Sequence, residues 1–342
     1  MGKILVTGGT GYIGSHTAVR LIEAGYDVVI FDNLSNSDIG VLDGIKQITG
    51  VMPQFIKGDI TSSGDLDSLF ETCSDIVAVI HFAALKAVGE SVEQPLLYYR
   101  NNVGGMINLL EACRRYSVSQ FVFSSSCTVY GQPDVLPVHE GCAIRPESPY
   151  GYTKRISEEI LRHAVEAQPG FRAVSLRYFN PIGAHPSACI GELPRGVPNN
   201  LLPFITQTAI GLRPELKVFG RDYNTPDGTC VRDYIDVNDL ADAHVKALAY
   251  LSNNNSLPYD VFNLGTGTGL SVLQVIGAFQ KATSQPLNYS FAPRRAGDVE
   301  QVWADATKAN STLGWYAVTS VYDTVKSAWE WEKNYRSRNN KF

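Results

Sequence analysis

The stretch Tyr150-Gly-Tyr-Thr-Lys154 sets a phenol and an ammonium four residues apart, a spacing that puts both on one face of a helix. An unperturbed phenol titrates near ~10, and a neighbouring cation favours its ionised form. Such a pair can act as a general base toward an alcohol. Ser126 closes the run Phe-Ser-Ser-Ser (123–126) after an apolar stretch, so it should end a strand and be free to share the same substrate oxygen. Removing an alcohol proton is productive only if hydride leaves the same carbon, so a hydride acceptor should be bound nearby.

The front of the chain supplies one. Val-Thr-Gly-Gly-Thr-Gly-Tyr-Ile-Gly (6–14) follows an apolar run and opens a helical pattern. It fits G-x-x-G-x-x-G through Gly8, Gly11 and Gly14, and also G-x-G-x-x-G through Gly9, Gly11 and Gly14. Glycines there allow a tight turn and aim a helix N-terminus at a pyrophosphate. Asp32 ends the next strand 18 residues after Gly14, where a carboxylate accepts both ribose hydroxyls and repels a 2′-phosphate. No arginine follows it in Asp-Asn-Leu-Ser-Asn-Ser (32–37), so the pattern points to NAD rather than NADP. Asp59 closes the third strand and is placed to meet the adenine edge. The small residues of His-Phe-Ala-Ala-Leu-Lys-Ala (81–87) leave room for a dinucleotide across the sheet's carboxyl edge.

These residues need a parallel sheet to hold them. Runs 3–8, 27–33, 53–60, 76–84 and 120–126 are near-continuously apolar and alternate with helical patterns such as 12–25 and 95–116, as expected for a sheet covered on both faces. After 171–185 the rhythm breaks, with dense Gly and Pro over 181–198. The expectation is an α/β fold: a Rossmann-like doubly wound parallel sheet with a smaller mixed α/β substrate lobe. Residues 1–180 would form the NAD-binding domain and 181–342 mainly the substrate lobe, with some strands or helices returning to the first. A helix over about 320–336 carries Val321, Val325, Ala328 and Trp329 at core spacing.

Composition narrows the partners. At 342 residues, with 44% apolar and 18% charged residues and a net charge of −5, no basic stripe for nucleic acid is expected. No apolar run approaches the ~20 residues that span a bilayer. Six cysteines without CxxC spacing and six histidines without an HxxxH pair point to reduced thiols and no metal site. Reduced thiols and the lack of a signal-peptide pattern lead us to expect a cytoplasmic location.

Gly-Gly-Thr-Gly-Tyr-Ile-Gly-Ser-His (8–16), Asp32, Phe-Ser-Ser-Ser-Cys-Thr-Val-Tyr-Gly (123–131), Ser-Pro-Tyr-Gly-Tyr-Thr-Lys (148–154) and Leu-Arg-Tyr-Phe-Asn-Pro-Ile-Gly-Ala-His-Pro-Ser (176–187) resemble the extended short-chain dehydrogenase/reductase family. The likeness is closest to the UDP-galactose 4-epimerases and runs from residue 3 to about 332, through segments 81–91, 196–205, 227–244 and 291–298 in order. It implies tightly held NAD, contacted by Gly8, Gly11, Tyr12, Ile13, Gly14, Asp32, Asn33, Asn36, Ser37, Asp59, Ile60, Phe82, Ala83, Ala84, Lys86, Asn101, Ser126, Tyr150, Lys154 and Phe179. Catalysis would fall to Ser126, Tyr150 and Lys154. The UDP-sugar would meet Lys86, Ser126, Thr128, Tyr150, Asn180, Asn200, Leu201, Lys217, Phe219, Arg232, Tyr234, Arg295, Asp298 and Val302. Arg232 and Arg295 suit the diphosphate, because guanidinium binds phosphate oxygens bidentately. The resemblance also implies a homodimer through helices near 95–116 and 150–167.

Related dehydratases and decarboxylases carry an acid just after the serine; here Cys127 and Thr128 follow it. A 4-keto sugar then has no route but to take its hydride back, which on the opposite face gives the C4 epimer. Relatives restricted to plain hexoses carry a tyrosine four residues after the Arg-Arg-x-Gly-Asp run, and here that position is Val302. Filling that space against an N-acetyl group would cost on the order of 1–3 kcal/mol. The main expectation is therefore interconversion of both UDP-GlcNAc/UDP-GalNAc and UDP-glucose/UDP-galactose. The alternatives are a strict UDP-glucose 4-epimerase, a nucleotide-sugar 4,6-dehydratase, and a UDP-sugar-binding protein without turnover.

Overall fold

A computed structural model describes residues 2–253, 257–295 and 298–338. Ala296 and Gly297 of the arginine-rich stretch, and the last four residues of the expected second lobe, lie outside the described residues. In chain order the first strands are β1 (Lys3–Thr7), β2 (Val28–Asp32), β3 (Gln54–Lys57), β4 (Ile76–His81), β5 (Gln120–Ser124) and β6 (Arg172–Tyr178). They are followed by β7 (Asn180–Ile182), β8 (Leu216–Phe219), β9 (Val231–Asp236), β10 (Tyr259–Leu264), β11 (Gly269–Ser271), β12 (Tyr289–Ala292) and β13 (Gln301–Val302).

Seven strands form one parallel sheet in the order β10-β6-β5-β4-β1-β2-β3. Side chains alternate across it: Ile4 and Val6 of β1 join one apolar cluster, while Leu5 joins the other. Burial on both faces explains the unbroken apolar runs. Each fully buried aliphatic side chain here contributes ~2–3 kcal/mol. The strand order reverses between β1 and β4, which opens a crevice at their carboxyl ends. The sheet is thus the doubly wound α/β architecture expected.

The second half builds a smaller sheet, β11-β9-β13 with β7 also on β9, and a two-stranded pair, β8 with β12. The chain then returns to the large sheet: β10 lies beside β6, and the helix Val237–Ser252 covers one face with Leu240, Ala243, Ala247, Leu248 and Leu251. The 171–185 stretch splits at Phe179, β6 joining the large sheet and β7 the small one. β3 stops at Lys57 because Asp59 turns the chain, accepting from the Thr61 amide at 2.8 Å. The 95–116 helix is interrupted by a π-helical stretch at Tyr99–Gly104, a wide turn that often marks functional sites. The helix Val321–Arg338 buries Val325, Ala328 and Trp329, with Val321 only partly buried.

Three core histidines bear on acid stability. His16, His81 and His244 are buried, each with Nδ1 bonded to one neighbour: Tyr12 O (2.7 Å), Thr7 Oγ1 (2.7 Å) and Leu240 O (2.8 Å). Burial lowers them from 6.5 to about 3, about 3 and about 4. Because the folded values lie below the unfolded one, the unfolded chain binds protons first, and stability falls as pH drops below 6.5. At ~1.4 kcal/mol per pH unit each, three such groups cost about 4 kcal/mol per unit. Against a net stability of ~5–15 kcal/mol, thermal melts should show Tm falling steeply below about pH 6 and acid unfolding near pH ~4.5; a flat Tm from pH 7 to 5 would refute the reading.

Candidate active site

The crevice begins at the glycine turn. Gly8 has φ 69° and its missing Cβ would lie 2.7 Å from the Ala83 amide nitrogen, while one on Gly14 would lie 2.3 Å from the Gly8 carbonyl. Only glycine lets the turn meet the 82–84 segment, and Gly11 then caps the helix Tyr12–Glu23 without a side chain in the way. Its amide end is left facing the crevice, as a pyrophosphate requires. Ile13 is half-buried against the core, and Tyr12 donates its hydroxyl to the Gly183 carbonyl at 2.7 Å, tying the turn to the second half.

Asp32 is held at the end of β2. Its carboxylate accepts from the Thr10 amide (3.2 Å), the Leu34 amide (2.8 Å) and the Ser37 hydroxyl (3.1 Å). Asn33 donates to Asp59 at 2.8 Å, and Asn36 is exposed on the same loop. Burial works to raise the Asp59 carboxyl, but hydrogen bonds from Thr61 and Asn33 outweigh it and leave the group below its usual range. Both Asp59 oxygens are therefore engaged by the protein. Ile60 packs beneath Gly105. The Phe82 ring lies tilted against His244, 4.7 Å between centres, and Phe179 is buried beside the end of β10. The glycine cradle and the fixed acid together fit a dinucleotide with a free 2′-hydroxyl.

The chemical cluster sits across the crevice. Ser148 caps the helix Pro149–Ala167, accepting from the Gly151 amide at 3.2 Å, and Pro149 pre-sets the first turn. A Cβ on Gly151 would lie 2.9 Å from the Thr128 carbonyl, so glycine lets this helix end abut the segment carrying Ser126. Thr128 meets the Ser126 hydroxyl through its amide (3.2 Å) and its own hydroxyl (3.0 Å). Lys154 is 4% exposed, donates to the Ser124 carbonyl at 2.7 Å, and has Nζ 5.8 Å from the Tyr150 ring centre. Burial pushes Lys154 down to about 7 against the opposing field of Glu158. Burial also pushes the Tyr150 phenol well above its usual range, with Tyr178 adding to this and a Ser126 hydrogen bond opposing it. The favoured phenolate expected from the sequence is thus opposed in the chain alone by burial, and needs added positive charge.

The second half brings several of the other predicted residues to neighbouring positions around β9. Asn180 of β7 is in register with Tyr234 of β9, and Val302 of β13 with Arg232 of β9. Arg232 lies 3.7 Å from Asp298, and Arg295 lies over the Phe219 ring at 4.4 Å. Arg294 instead pairs with exposed Asp222 at 2.8 Å, which separates the two adjacent arginines. Lys217 is tied to Glu215 and the Ser290 hydroxyl on the surface. Asn200 caps the helix Leu201–Ala209 by position only, its amide donating to Glu192 at 2.5 Å. Val302 is 6% exposed and clusters with Val129, Tyr130, Val138, Phe179 and Ala304. Buried Tyr234 is raised in pKa by burial.

Three residues escaped the sequence reading. Glu192 accepts from both Lys86 (3.5 Å) and Asn200. Arg195 donates to the carbonyls of Ser35 (2.8 Å) and Ser37, so the 192–200 segment fastens the Asp32 loop. Both lie in the aperiodic Gly/Pro-dense stretch, where spacing carries no signal. Asn102 bonds the Leu85 amide (2.9 Å), the Leu85 carbonyl (3.0 Å) and Thr153 (3.1 Å), while Asn101 donates to Asn102 itself at 2.9 Å. The π-helical turn aims Asn102 inward, a rotation that sequence periodicity does not reveal.

A doubly wound parallel sheet, a glycine turn with an acid at the next strand end, and grouped serine, tyrosine and lysine define an extended short-chain dehydrogenase/reductase. Residues 5–328 match the family model for GDP-mannose 4,6 dehydratase. The chain is 54% identical over 330 residues to the UDP-glucose 4-epimerase of Yersinia pestis, covering 96% of this chain and 97% of that one. It superposes with TM-score 0.95 and 46% identity on a Stenotrophomonas maltophila UDP-glucose-4-epimerase crystallised with NAD and formylated UDP-arabinopyranose, covering 99% and 100% of the two chains. A Campylobacter jejuni UDP-Glc/GlcNAc 4-epimerase is similar at 37% identity and TM-score 0.84, covering 98% and 100%. The chain belongs to the UDP-glucose 4-epimerase family, and it is an enzyme of the isomerase class.

Asn102 supports the crevice from behind. Asn102→Ala leaves both backbone groups of Leu85 unpaired, and denaturant unfolding should show a loss of about 1–3 kcal/mol. An unchanged midpoint would refute this supporting role.

Proposed function

We propose that the enzyme interconverts UDP-glucose and UDP-galactose through a transient 4-keto sugar while retaining NAD. The observation that carries this is the Ser126–Tyr150–Lys154 grouping in a chain 54% identical to a UDP-glucose 4-epimerase across its length. NAD, when bound, supplies an acceptor and then a donor of hydride at C4. The Tyr150 oxygen takes the proton of the C4 hydroxyl and later returns it. Ser126 shares a hydrogen bond with the same oxygen. Lys154 adds the positive charge that a buried phenolate needs.

Arg232 and Arg295 hold the diphosphate, and Phe219, Tyr234, Asn180, Asn200, Leu201 and Asp298 surround UDP. Lys86 and Thr128 face the hexose. Firm grip on UDP and loose grip on the sugar let the keto ring turn over and accept hydride on its other face. The two-lobe division near residue 180, the NAD contacts and a homodimer belong to the same reading. Exposed Leu96, Leu97, Ile107 and Tyr152 on the relevant helices support the dimer. Among the described residues no helix is long and apolar enough to cross a membrane. Six unpaired thiols support a reducing, cytoplasmic setting.

The plain hexoses are the better-supported substrates, since the relatives named above are mostly UDP-glucose 4-epimerases. Acceptance of UDP-GlcNAc and UDP-GalNAc is a second reading, favoured by the small side chain of Val302 in a cluster that includes Cys127, the neighbour of Ser126. Its burial among apolar neighbours argues against it, because those neighbours occupy the space a tyrosine would fill.

Tyr150→Phe should lower kcat by roughly 10²–10⁴-fold with UDP affinity by calorimetry nearly intact; a near-normal rate would reject the proposed base. In a coupled assay UDP-galactose should turn over with at least about tenfold higher kcat/KM than UDP-GalNAc, a gap of ~1.4 kcal/mol. Equal efficiencies, lost for UDP-GalNAc alone in Val302→Tyr, would establish the broader reading.

A further inference from the structure

One buried ion pair lies beside the reacting cluster with no part in the proposed chemistry. Glu158 follows Lys154 by one helical turn, and Arg177 lies on β6; both are 6% exposed. Arg177 Nε donates to the two Glu158 oxygens at 2.9 and 3.2 Å, and Nη2 to one of them at 2.5 Å. Glu158 also accepts the Ser125 hydroxyl at 2.5 Å. Arg177 Nη1 donates to the Tyr130 oxygen at 2.9 Å, whose hydroxyl donates to Asn263 of β10 at 2.7 Å. The pair therefore joins the helix Pro149–Ala167 to β5, β6 and β10 at the serine run.

That run serves the whole cluster. The Ser124 carbonyl receives Lys154, the Ser124 hydroxyl meets Tyr178 at 2.6 Å, the Ser125 hydroxyl meets Glu158, and the Ser126 hydroxyl faces Tyr150. We propose that Glu158 and Arg177 are a positioning pair: they hold the Ser124–Ser126 run against the helix and set the charge balance that keeps Lys154 an ammonium beside Tyr150. This rests on the reading of Tyr150 and Lys154 as the groups that handle the proton.

The surroundings of Lys154 single the pair out. From its own helix it faces Tyr150 and Glu158, from β5 the Phe123 ring at 5.0 Å, and from β4 His81. From β6 come Tyr178, through Ser124, and Arg177, through Glu158. Burial keeps His81 neutral, at about 3, and pushes Tyr178 up to about 12. Neither changes charge near neutrality. Burial lowers Lys154 to about 7 and the Glu158 charge opposes that fall, so loss of that charge should lower it further.

The test is the pH profile of kcat for UDP-galactose in the full-length, NAD-loaded enzyme. Glu158→Gln leaves the Arg177 cation unpaired, so the basic limb of the profile should move down by roughly one pH unit. Arg177→Met leaves the anion unpaired, and the limb should move up. The double variant should return it toward wild type. Limbs unmoved in both single variants, with only thermal stability reduced, would overturn the proposal and leave the pair a structural staple. Ser125→Ala keeps both charges but cuts the tether, and serves if the single variants do not fold. It should lower kcat by roughly tenfold with KM unchanged, and an unchanged kcat would also overturn the proposal. Near-normal turnover in Tyr150→Phe would instead sink the underlying reading, so the two failures are distinguishable.

Discussion

The arrangement depends on keeping one ammonium buried. Lys154 is 4% exposed and has given up most of its hydration, so its charge survives only where the protein supplies acceptors and compensating fields. The acceptor is the carbonyl of Ser124, the last residue of β5, at the carboxyl edge of the sheet. Reaching it requires the first turn of the helix Pro149–Ala167 to abut the 126–128 segment, which Gly151 permits. Sheet type, strand end, helix cap and glycine are in this sense preconditions of a single hydrogen bond.

A second balance operates on the anion side. Arg232 stands beside Asp298, Arg295 over an aromatic face, and Lys86 and Asn200 on Glu192. Partly exposed pairs of this kind are worth only ~0–1 kcal/mol. On the proposed reading, a diphosphate making bidentate, charge-assisted bonds would draw Arg232 from its 3.7 Å contact with Asp298 at little cost. Glu192 and Asp298 hold Lys86, Asn200 and Arg232 in place within the chain itself. Because Arg195 of the same segment fastens the Asp32 loop, the order of the 192–200 segment and that of the loop are mechanically joined.

What the sequence made legible were features encoded by short spacing. Gly8, Gly11 and Gly14 with Asp32, and Tyr150 with Lys154, are local patterns whose geometry follows from one turn or one helix. The alternating apolar runs likewise announced the parallel sheet, because burial on both faces leaves no polar positions to confuse the period. The Glu158–Arg177 pair spans 19 positions and two elements, and Glu192 meets Lys86 across 106. Such partners are chosen by tertiary contact, and no period in the chain marks them. The separate fates of Arg294 and Arg295 were equally hidden, since adjacent residues on an irregular segment differ only in what each happens to face. Val302 shows the limit of reasoning by position: its identity was readable, but whether it lines a cavity depends on neighbours from the 127–130 segment, Val138, Phe179 and Ala304.

The family model that matches this chain carries a dehydratase's name, yet the local chemistry beside Ser126 favours epimerisation. Elimination from a 4-keto sugar needs a group able to take and give a proton near neutrality. The residues after Ser126 are Cys127 and Thr128. Burial pushes the Cys127 thiol up to about 12, so it stays protonated and inert as a base. The Thr128 hydroxyl is already committed to Ser126 at 3.0 Å. On the proposed reading, a keto sugar formed here meets the Tyr150–Lys154 pair for proton transfer, and NAD, when bound, would supply the hydride. With elimination unassisted, the open path is the reverse of oxidation, and a turned ring makes that reverse step an inversion at C4.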